Sequence, residues 1–222
     1  MSKNIAIDGP AGAGKSTIAK LLAKKMGFNY VDTGAMYRGL AVQVLDAGVE
    51  PGDETAVSAA VISSAVPKVS YIDGEQHIFI NDTDVTNRLR TEEIGNAASK
   101  ISAYPAVRAA LLDLQRDLAQ EYDVIMDGRD IGTTILPGAD LKIFLTASVE
   151  VRAGRRYDEL SKKGEAADLK KIAEDIAARD HQDMTRAISP LKQAEDAILV
   201  DTSDMSIDQV VEHIYSLYEE KF

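Results

Sequence analysis

Five short apolar runs punctuate the chain: Asn4–Ile7, Asn29–Val31, Val124–Met126, Leu141–Leu145 and Ile198–Val200. Each sits near a helical pattern or a loop of Gly and Asp, as buried strands do. Apolar residues recur at helical spacing over Lys15–Lys25, Ala35–Ala47, Glu93–Ile101, Pro105–Glu121, Asp168–Asp180 and Ile207–Tyr218. Strands alternating with helices predict a parallel α/β sheet.

Two stretches break the alternation. The first, from about Pro51 to Arg90, reads as an insert. In it, Val69 to Ile80 predicts a hairpin turning at Asp73-Gly74, and the small apolar run Ala56–Ala65 predicts helix packing. The second, Val151 to Leu191, is dense in charge and holds no strand candidate. Leu169, Ile172, Ala173 and Ile176 still mark a helix face there, which predicts a mobile helical flap.

Composition narrows the classes. A chain of 222 residues suits one domain with insertions, and 45% hydrophobic with 27% charged residues is ordinary for a globular protein. The net charge of −11 argues against a nonspecific nucleic-acid binder. No cysteine is present, which excludes disulfides and zinc–thiolate sites and fits a cytoplasmic location. The N-terminus does not read as a secretory signal, and no apolar run approaches a membrane span. His77, His181 and His213 share no metal-binding spacing.

The chemistry begins with Gly9-Pro10-Ala11-Gly12-Ala13-Gly14-Lys15-Ser16, which matches G-x-x-x-x-G-K-[ST] in full. A strand pattern precedes it and a helix pattern follows. Glycines let backbone N–H groups turn around phosphate oxygens, and the helix adds its positive dipole end. Lys15 can bridge the β- and γ-phosphates, and Ser16 can offer its hydroxyl to Mg²⁺. A nucleoside triphosphate, ATP above all, is therefore the expected ligand. No Asn-Lys-x-Asp guanine signature occurs, and the short chain with two inserts favours a nucleotide or metabolite kinase.

Three further segments carry candidate anion-binding groups. In Asp32-Thr33-Gly34-Ala35-Met36-Tyr37-Arg38, Thr33 either caps the following helix or binds an anion with Arg38. In Val124-Ile-Met-Asp127-Gly128-Arg129-Asp130, the polar tip lies where ligands sit in open α/β sheets. Asp127 suits Mg²⁺ or its waters, unless it caps a turn while Arg129 pairs with Asp130. In the flap, Arg179, Asp183 and Arg186 fall at i, i+4 and i+7, one helix face, which as readily makes a surface ion pair.

Together these residues resemble the bacterial cytidylate kinases, the CMP/dCMP kinases of the nucleoside monophosphate kinase group. The carriers are Ile7 through Thr17, Asp32–Arg38, Asn96–Ser99, Asp127-Gly-Arg-Asp-Ile-Gly-Thr133 and Arg179-Asp…Asp183…Arg186. The resemblance implies a P-loop nucleoside monophosphate kinase fold, with a five-stranded parallel sheet flanked by helices. It implies a core of about 1–37, 100–150 and 189–222, a monophosphate-binding insert of about 38–99 and a lid of about 151–188. It implies transfer of the γ-phosphoryl group of ATP to CMP or dCMP, with Mg²⁺, by a cytoplasmic monomer that has no nucleic-acid or membrane partner. Gly9 through Thr17 would hold ATP, with Ser16 and Asp127 on the metal. Thr33, Tyr37, Arg38, Ser99, Arg108, Arg129, Asp130, Arg179, Asp183 and Arg186 would hold the acceptor, with Lys15, Arg129 and Arg186 catalytic. Arg152, Arg155 and Arg156 resemble lid arginines that approach ATP, without individual assignments. Ser16 departs from members that carry Gly there, though Thr17 follows. Two rivals stand beside this reading: a kinase for a sugar or shikimate-like alcohol, with Asp32 as base, and a nucleotide-dependent binding switch.

Overall fold

The computed structural model describes residues 2–222. In chain order its elements are β1 (Asn4–Asp8), α1 (Lys15–Met26), β2 (Asn29–Asp32), α2 (Thr33–Asp46), α3 (Glu54–Ile62), β3 (Lys68–Ile72), β4 (Glu75–Ile80), β5 (Thr83–Asp84), α4 (Glu92–Ile101), α5 (Pro105–Glu121), β6 (Val124–Gly128), β7 (Leu141–Thr146), α6 (Val149–Lys162), α7 (Leu169–Thr185), β8 (Ile198–Asp201) and α8 (Ile207–Glu219). A 3₁₀ turn spans Thr86–Arg88 and a π-helical turn spans Ile131–Ile135.

The five apolar runs become one sheet in the order β2-β6-β1-β7-β8. β7 runs parallel to both β1 and β8, with Ile5 opposite Leu141 and Ile143 opposite Ile198. Ile5, Ala6 and Ile7 of β1 and Ile125 and Met126 of β6 are fully buried. A strand covered on both faces needs apolar residues at successive positions, which is why these runs do not alternate. β8 lies at the sheet edge, where only Val200 is buried and Ile198 and Leu199 are exposed. With β1 in the middle of the order, chain direction across the sheet reverses there, and loops at the strands' carboxyl ends are the expected ligand sites.

By internal contacts the chain divides into two compact units. One comprises Asn29–Val124 with Ser2. Its centre is α2, whose Met36, Leu40, Ala41, Val42 and Val44 are buried. α2 packs against α3, α4, α5 and β4. The hairpin turns where the sequence predicts: Asp73 and Gly74 have φ of 52° and 79°, and Ile72 pairs with Glu75. A two-residue turn between twisted strands requires that left-handed backbone. β5 escapes a sequence reading because its two residues are polar and exposed. The run Ala56–Ala65 forms α3 at its start, with Val57 and Val61 buried and Ile62 exposed. The cap of α2 is Asp32, not Thr33. Asp32 Oδ1 accepts the Ala35 N–H at 2.9 Å, so the helix begins at Thr33. A carboxylate one residue earlier reaches the same donor and is favoured by the helix dipole.

The other unit comprises Lys3–Phe28 and Ile125–Phe222. α1 packs on α8 and against β1 through Ile18, Ala19, Leu22 and Ala23. α8 is fixed at its start by a reciprocal capping box between Ser206 and Gln209. The charge-dense stretch is a pair of packed helices, α6 and α7, and contains no strand. Ser148 caps α6 by accepting the Val151 N–H at 3.2 Å. Only Arg152 and Ala153 of α6 are buried, so the apolar stripe that would announce a helix is nearly absent. Among the described residues, no helix is long and apolar enough to cross a membrane.

Candidate active site

β1 delivers the chain to a glycine loop at the sheet's carboxyl edge. Gly9 has φ 149°, and a Cβ there would lie 1.9 Å from the Leu145 carbonyl oxygen. Only glycine lets the chain leave the sheet along this path. Gly12 and Gly14 also have positive φ, 75° and 90°. α1 then starts at Lys15 with no side chain capping it. Its first N–H groups are left for another partner, as in an anion-binding loop.

Lys15 is buried, and its Nζ donates to the Pro10 carbonyl at 2.7 Å. Burial, then the positive charge of Arg129, pushes its pKa down to about 7; Asp127, Asp8 and Asp183 oppose the shift. A phosphate brought to this ammonium would supply the missing negative charge. Ser16 Oγ donates to Asp127 Oδ2 at 3.0 Å. A hydroxyl and a buried carboxylate are hard oxygen donors of the kind Mg²⁺ takes while keeping several waters and phosphate oxygens. Among the described residues there is no cluster of three or more His, Asp or Glu side chains that could hold a metal unaided, and a phosphate-bound Mg²⁺ needs none.

Asp127, Arg129 and Asp130 end β6 or follow it directly. Arg129 does not pair with its neighbour Asp130. Its Nε donates to Asp183 Oδ2 at 2.7 Å, while Asp130 Oδ1 accepts from Arg186 Nη2 at 3.2 Å. Both residues lie just past the end of β6, and each finds a partner in or just after α7. The proposed surface pair on α7 is overturned by the same contacts, since Asp183 is 5% exposed and committed to Arg129. Nor do Arg179, Asp183 and Arg186 share one helix face. α7 ends at Thr185 and Arg186 is the residue beyond it, with φ −60° and ψ 142°. From there its Nε donates to the Ser189 carbonyl at 2.7 Å. Arg179 stands one turn before Asp183 on the same helix.

The three arginines of α6 separate cleanly. Arg152 is buried: Nη2 donates to Asp180 Oδ2 at 2.6 Å, Nη1 to the Ala11 carbonyl at 3.0 Å and Nε to the Ala147 carbonyl at 2.9 Å. It thereby ties the glycine loop to α7. Arg155 donates from Nη2 to the Thr202 carbonyl at 2.8 Å and from Nη1 to Thr202 Oγ1 at 3.2 Å. Arg156 makes an exposed ion pair with Glu159 at 2.8 Å.

One residue of this unit is given no role by the sequence reading. Asp8, buried at the end of β1, accepts the Ile131 and Gly132 N–H groups at 2.7 Å each. Burial pushes its carboxyl up to about 6, against those two hydrogen bonds. The available signal was an acid closing an otherwise apolar strand.

The remaining candidates belong to the Asn29–Val124 unit. Thr33 is buried at the start of α2. Arg38 folds back along the same helix, its Nη1 3.8 Å from Asp32 Oδ1 and 3.2 Å from where a Cβ on Gly34 would stand. Gln76 of β4 grips the Asp32 backbone from both sides, accepting its N–H at 2.7 Å and donating to its carbonyl at 3.1 Å. The Arg108 guanidinium lies 5.7 Å from the Tyr37 ring centroid and donates to the Ser102 carbonyl at 3.3 Å. Ser102 Oγ in turn donates to the Ser99 carbonyl at 2.9 Å. Tyr37, Arg108 and the end of α4 that carries Ser99 are thus brought together. Of the histidines, His77 pairs through Nδ1 with Asp84 at 2.7 Å.

Comparison with known proteins identifies the family. A family model described as cytidylate kinase matches residues 5–220. A cytidylate kinase of Exiguobacterium sp. is 49% identical over 219 residues, 99% of this chain and 97% of that one. One from Listeria innocua is 51% identical over 218 residues, 98% and 96% of the two chains. Among solved structures, an uncharacterized protein from Eubacterium ventriosum superposes with TM-score 0.54 at 12% identity, covering 98% and 99%. A gluconokinase from Sinorhizobium meliloti gives 0.51 at 13%, covering 98% and 92%. At such identities the structural likeness shows the α/β kinase fold alone. The family match and the close relatives each span nearly the whole chain, and the protein belongs to the cytidylate kinase family.

Proposed function

We propose that the protein transfers the γ-phosphoryl group of ATP to CMP or dCMP, giving ADP and CDP or dCDP. Beyond family membership, the observation that carries the reading is the pair of buried contacts Arg129–Asp183 and Arg186–Asp130. They stand at the strand end that also bears Asp127, and Arg129 is close enough to lower the Lys15 pKa. Two arginines held by acids next to a triphosphate loop suit a second phosphate beside the first.

In this reading Gly9 through Thr17 take the ATP phosphates, and Ser16 and Asp127 hold Mg²⁺, which neutralises phosphate charge. Arg129 and Arg186, with Thr33 and Arg38, take the acceptor phosphate. Arg179 and Asp183 take the sugar hydroxyls. Tyr37, Ser99, Arg108 and Asp130 serve the base. Cytosine presents an amino donor beside two acceptors, which suits carboxylate and hydroxyl acceptors with an arginine donor. The attacking phosphate oxygen is already anionic, so alignment and charge neutralisation by Lys15, Arg129 and Arg186 suffice without a general base. The reading includes a monomeric enzyme of the cytoplasm without a nucleic-acid partner, and the net charge of −11 supports the last point.

Coupled assays with ATP and CMP, dCMP, UMP, AMP and an alcohol such as shikimate test it. CMP and dCMP should be the best acceptors. Phosphorylation of the alcohol with CMP and dCMP both inert would defeat the proposal. Arg108→Ala should raise the KM for CMP and leave that for ATP nearly unchanged; equal losses for both would defeat the base assignment.

A further inference from the structure

Asp8 is used by no step above, yet its burial is costly. An ionised carboxylate at 4% exposure, with Asp130 nearby to disfavour its charge further, is not placed in a sheet for packing alone. Its two oxygens accept the N–H groups of Ile131 and Gly132, each at 2.7 Å. Those two residues directly follow Arg129-Asp130 and open the π-helical turn Ile131–Ile135. Asp8 itself directly precedes Gly9. One side chain therefore staples the start of the ATP loop to the segment that carries two acceptor residues.

Other contacts hold the same segment, but none of those described reaches the two N–H groups that Asp8 accepts. Asp130 has an irregular backbone, φ −146° and ψ 29°, and its carbonyl accepts the N–H groups of Thr134 and Ile135. Its side chain is held by Arg186. Ile131 is fully buried, so its N–H has no route to bulk water if Asp8 is removed. The stem of Lys142 packs over Gly132, with Cδ 3.1 Å from where a Cβ would stand. An N–H left unsatisfied here would be relieved only by moving the backbone, and Asp130 would move with it.

We propose that Asp8 is a positioning residue for the acceptor base: by fixing the Ile131 and Gly132 N–H groups it sets the placement of Asp130, and through it the discrimination of CMP from UMP. The proposal rests on the base-reading role given to Asp130 above. A specificity site that hydrogen-bonds its ligand rejects mispaired analogues only when its groups cannot shift to accommodate them.

The test compares kcat/KM for CMP and UMP in the wild type, Asp8→Asn and Asp130→Asn, with melting temperatures alongside. Asn at position 8 keeps the shape and one acceptor but turns an N–H toward a backbone N–H. The CMP:UMP ratio should fall by about tenfold, the scale of one mispaired buried hydrogen bond; any change on the ATP side acts on both acceptors alike and leaves this ratio unmoved. An unchanged ratio accompanied by a lower melting temperature would make Asp8 merely structural and overturn the proposal. If Asp130→Asn leaves the ratio unchanged, the base reading fails and the proposal falls with it. If Asp130→Asn lowers the ratio and Asp8→Asn does not, the positioning role alone fails. Should Asp8→Asn not fold, Gly132→Ala presses on the same staple, its Cβ 3.4 Å from Asp8 Oδ2 and closer to Lys142. It must lower the ratio too, and an unchanged ratio overturns the proposal.

Discussion

The glycine loop and helix α6 both bring positive character toward the same end of the sheet, by opposite means. The loop uses backbone: three glycines with positive φ and an uncapped helix start. Helix α6 uses side chains: Arg152, Arg155 and Arg156 within five residues, each with a different fate. Arg152 is a buried strut between Ala11 and Asp180, Arg155 a clamp on Thr202, and Arg156 half of a surface pair. A backbone site is determined by local conformation and is legible as a motif. A side-chain site is determined by partners that arrive from elsewhere, here 28 residues downstream for Asp180 and 47 for Thr202.

The contrast can be broken at its strongest point by adding one carbon to the loop. Gly9→Ala places a Cβ against the Leu145 carbonyl in a backbone conformation reserved for glycine. Strain of about 1–3 kcal/mol for the backbone alone, with the clash added to it, should cost more stability than any other change considered. Denaturant unfolding measures this, and a variant as stable as the wild type would mean the loop is far softer than its geometry implies.

Next in size is Arg152→Met, which leaves Asp180 buried without its counter-ion. The expected loss is about 3–5 kcal/mol. The pair Arg152→Met with Asp180→Asn should cost less than the two singles together, because the second change removes the stranded charge. Since Arg152 also holds the Ala11 carbonyl, the single variant should raise the KM for ATP. Additive losses with an unaltered KM would reduce Arg152 to ordinary packing.

Arg156→Ala should be smallest. Its pair with Glu159 is exposed on both sides, and pairs of this kind contribute about 0–1 kcal/mol. A melting curve superimposed on that of the wild type is the expected result. A loss matching that of Arg152→Met would erase the distinction among the three arginines.

Much of the fold was legible because local rules decided it. Each of the five runs became a strand, the Asp73-Gly74 turn closed its hairpin, and the glycine loop opened α1 as the motif requires. The helical character of the charged stretch was expected, but the bounds of α6 within it were not legible, because only Arg152 and Ala153 of that helix are buried. β5 was hidden because pairing with β4, rather than its own two polar residues, makes it a strand. The error at Thr33 was one of competition: two adjacent residues could cap α2, and the carboxylate of Asp32 won.

The site divides in the same way. Lys15 and Ser16 are candidates from the loop motif alone, whereas Asp127 and the arginines became firm candidates only when the family resemblance was added to their spacing. Which acid each arginine takes was not in the spacing. Arg129 passes over its neighbour Asp130 for Asp183, and Asp130 takes Arg186, because folding brings α7 and the residue after it within reach of this segment. Asp8 shows the limit most clearly. Its role comes from two backbone N–H groups more than 120 residues away in the chain, and backbone donors leave no mark in a sequence. By itself the sequence determined the strands, the glycine-loop motif and which residues are candidates for holding phosphate. Only the tertiary structure decided the pairing and the bracing, because burial makes each buried polar atom find a partner and folding alone determines which partners are within reach.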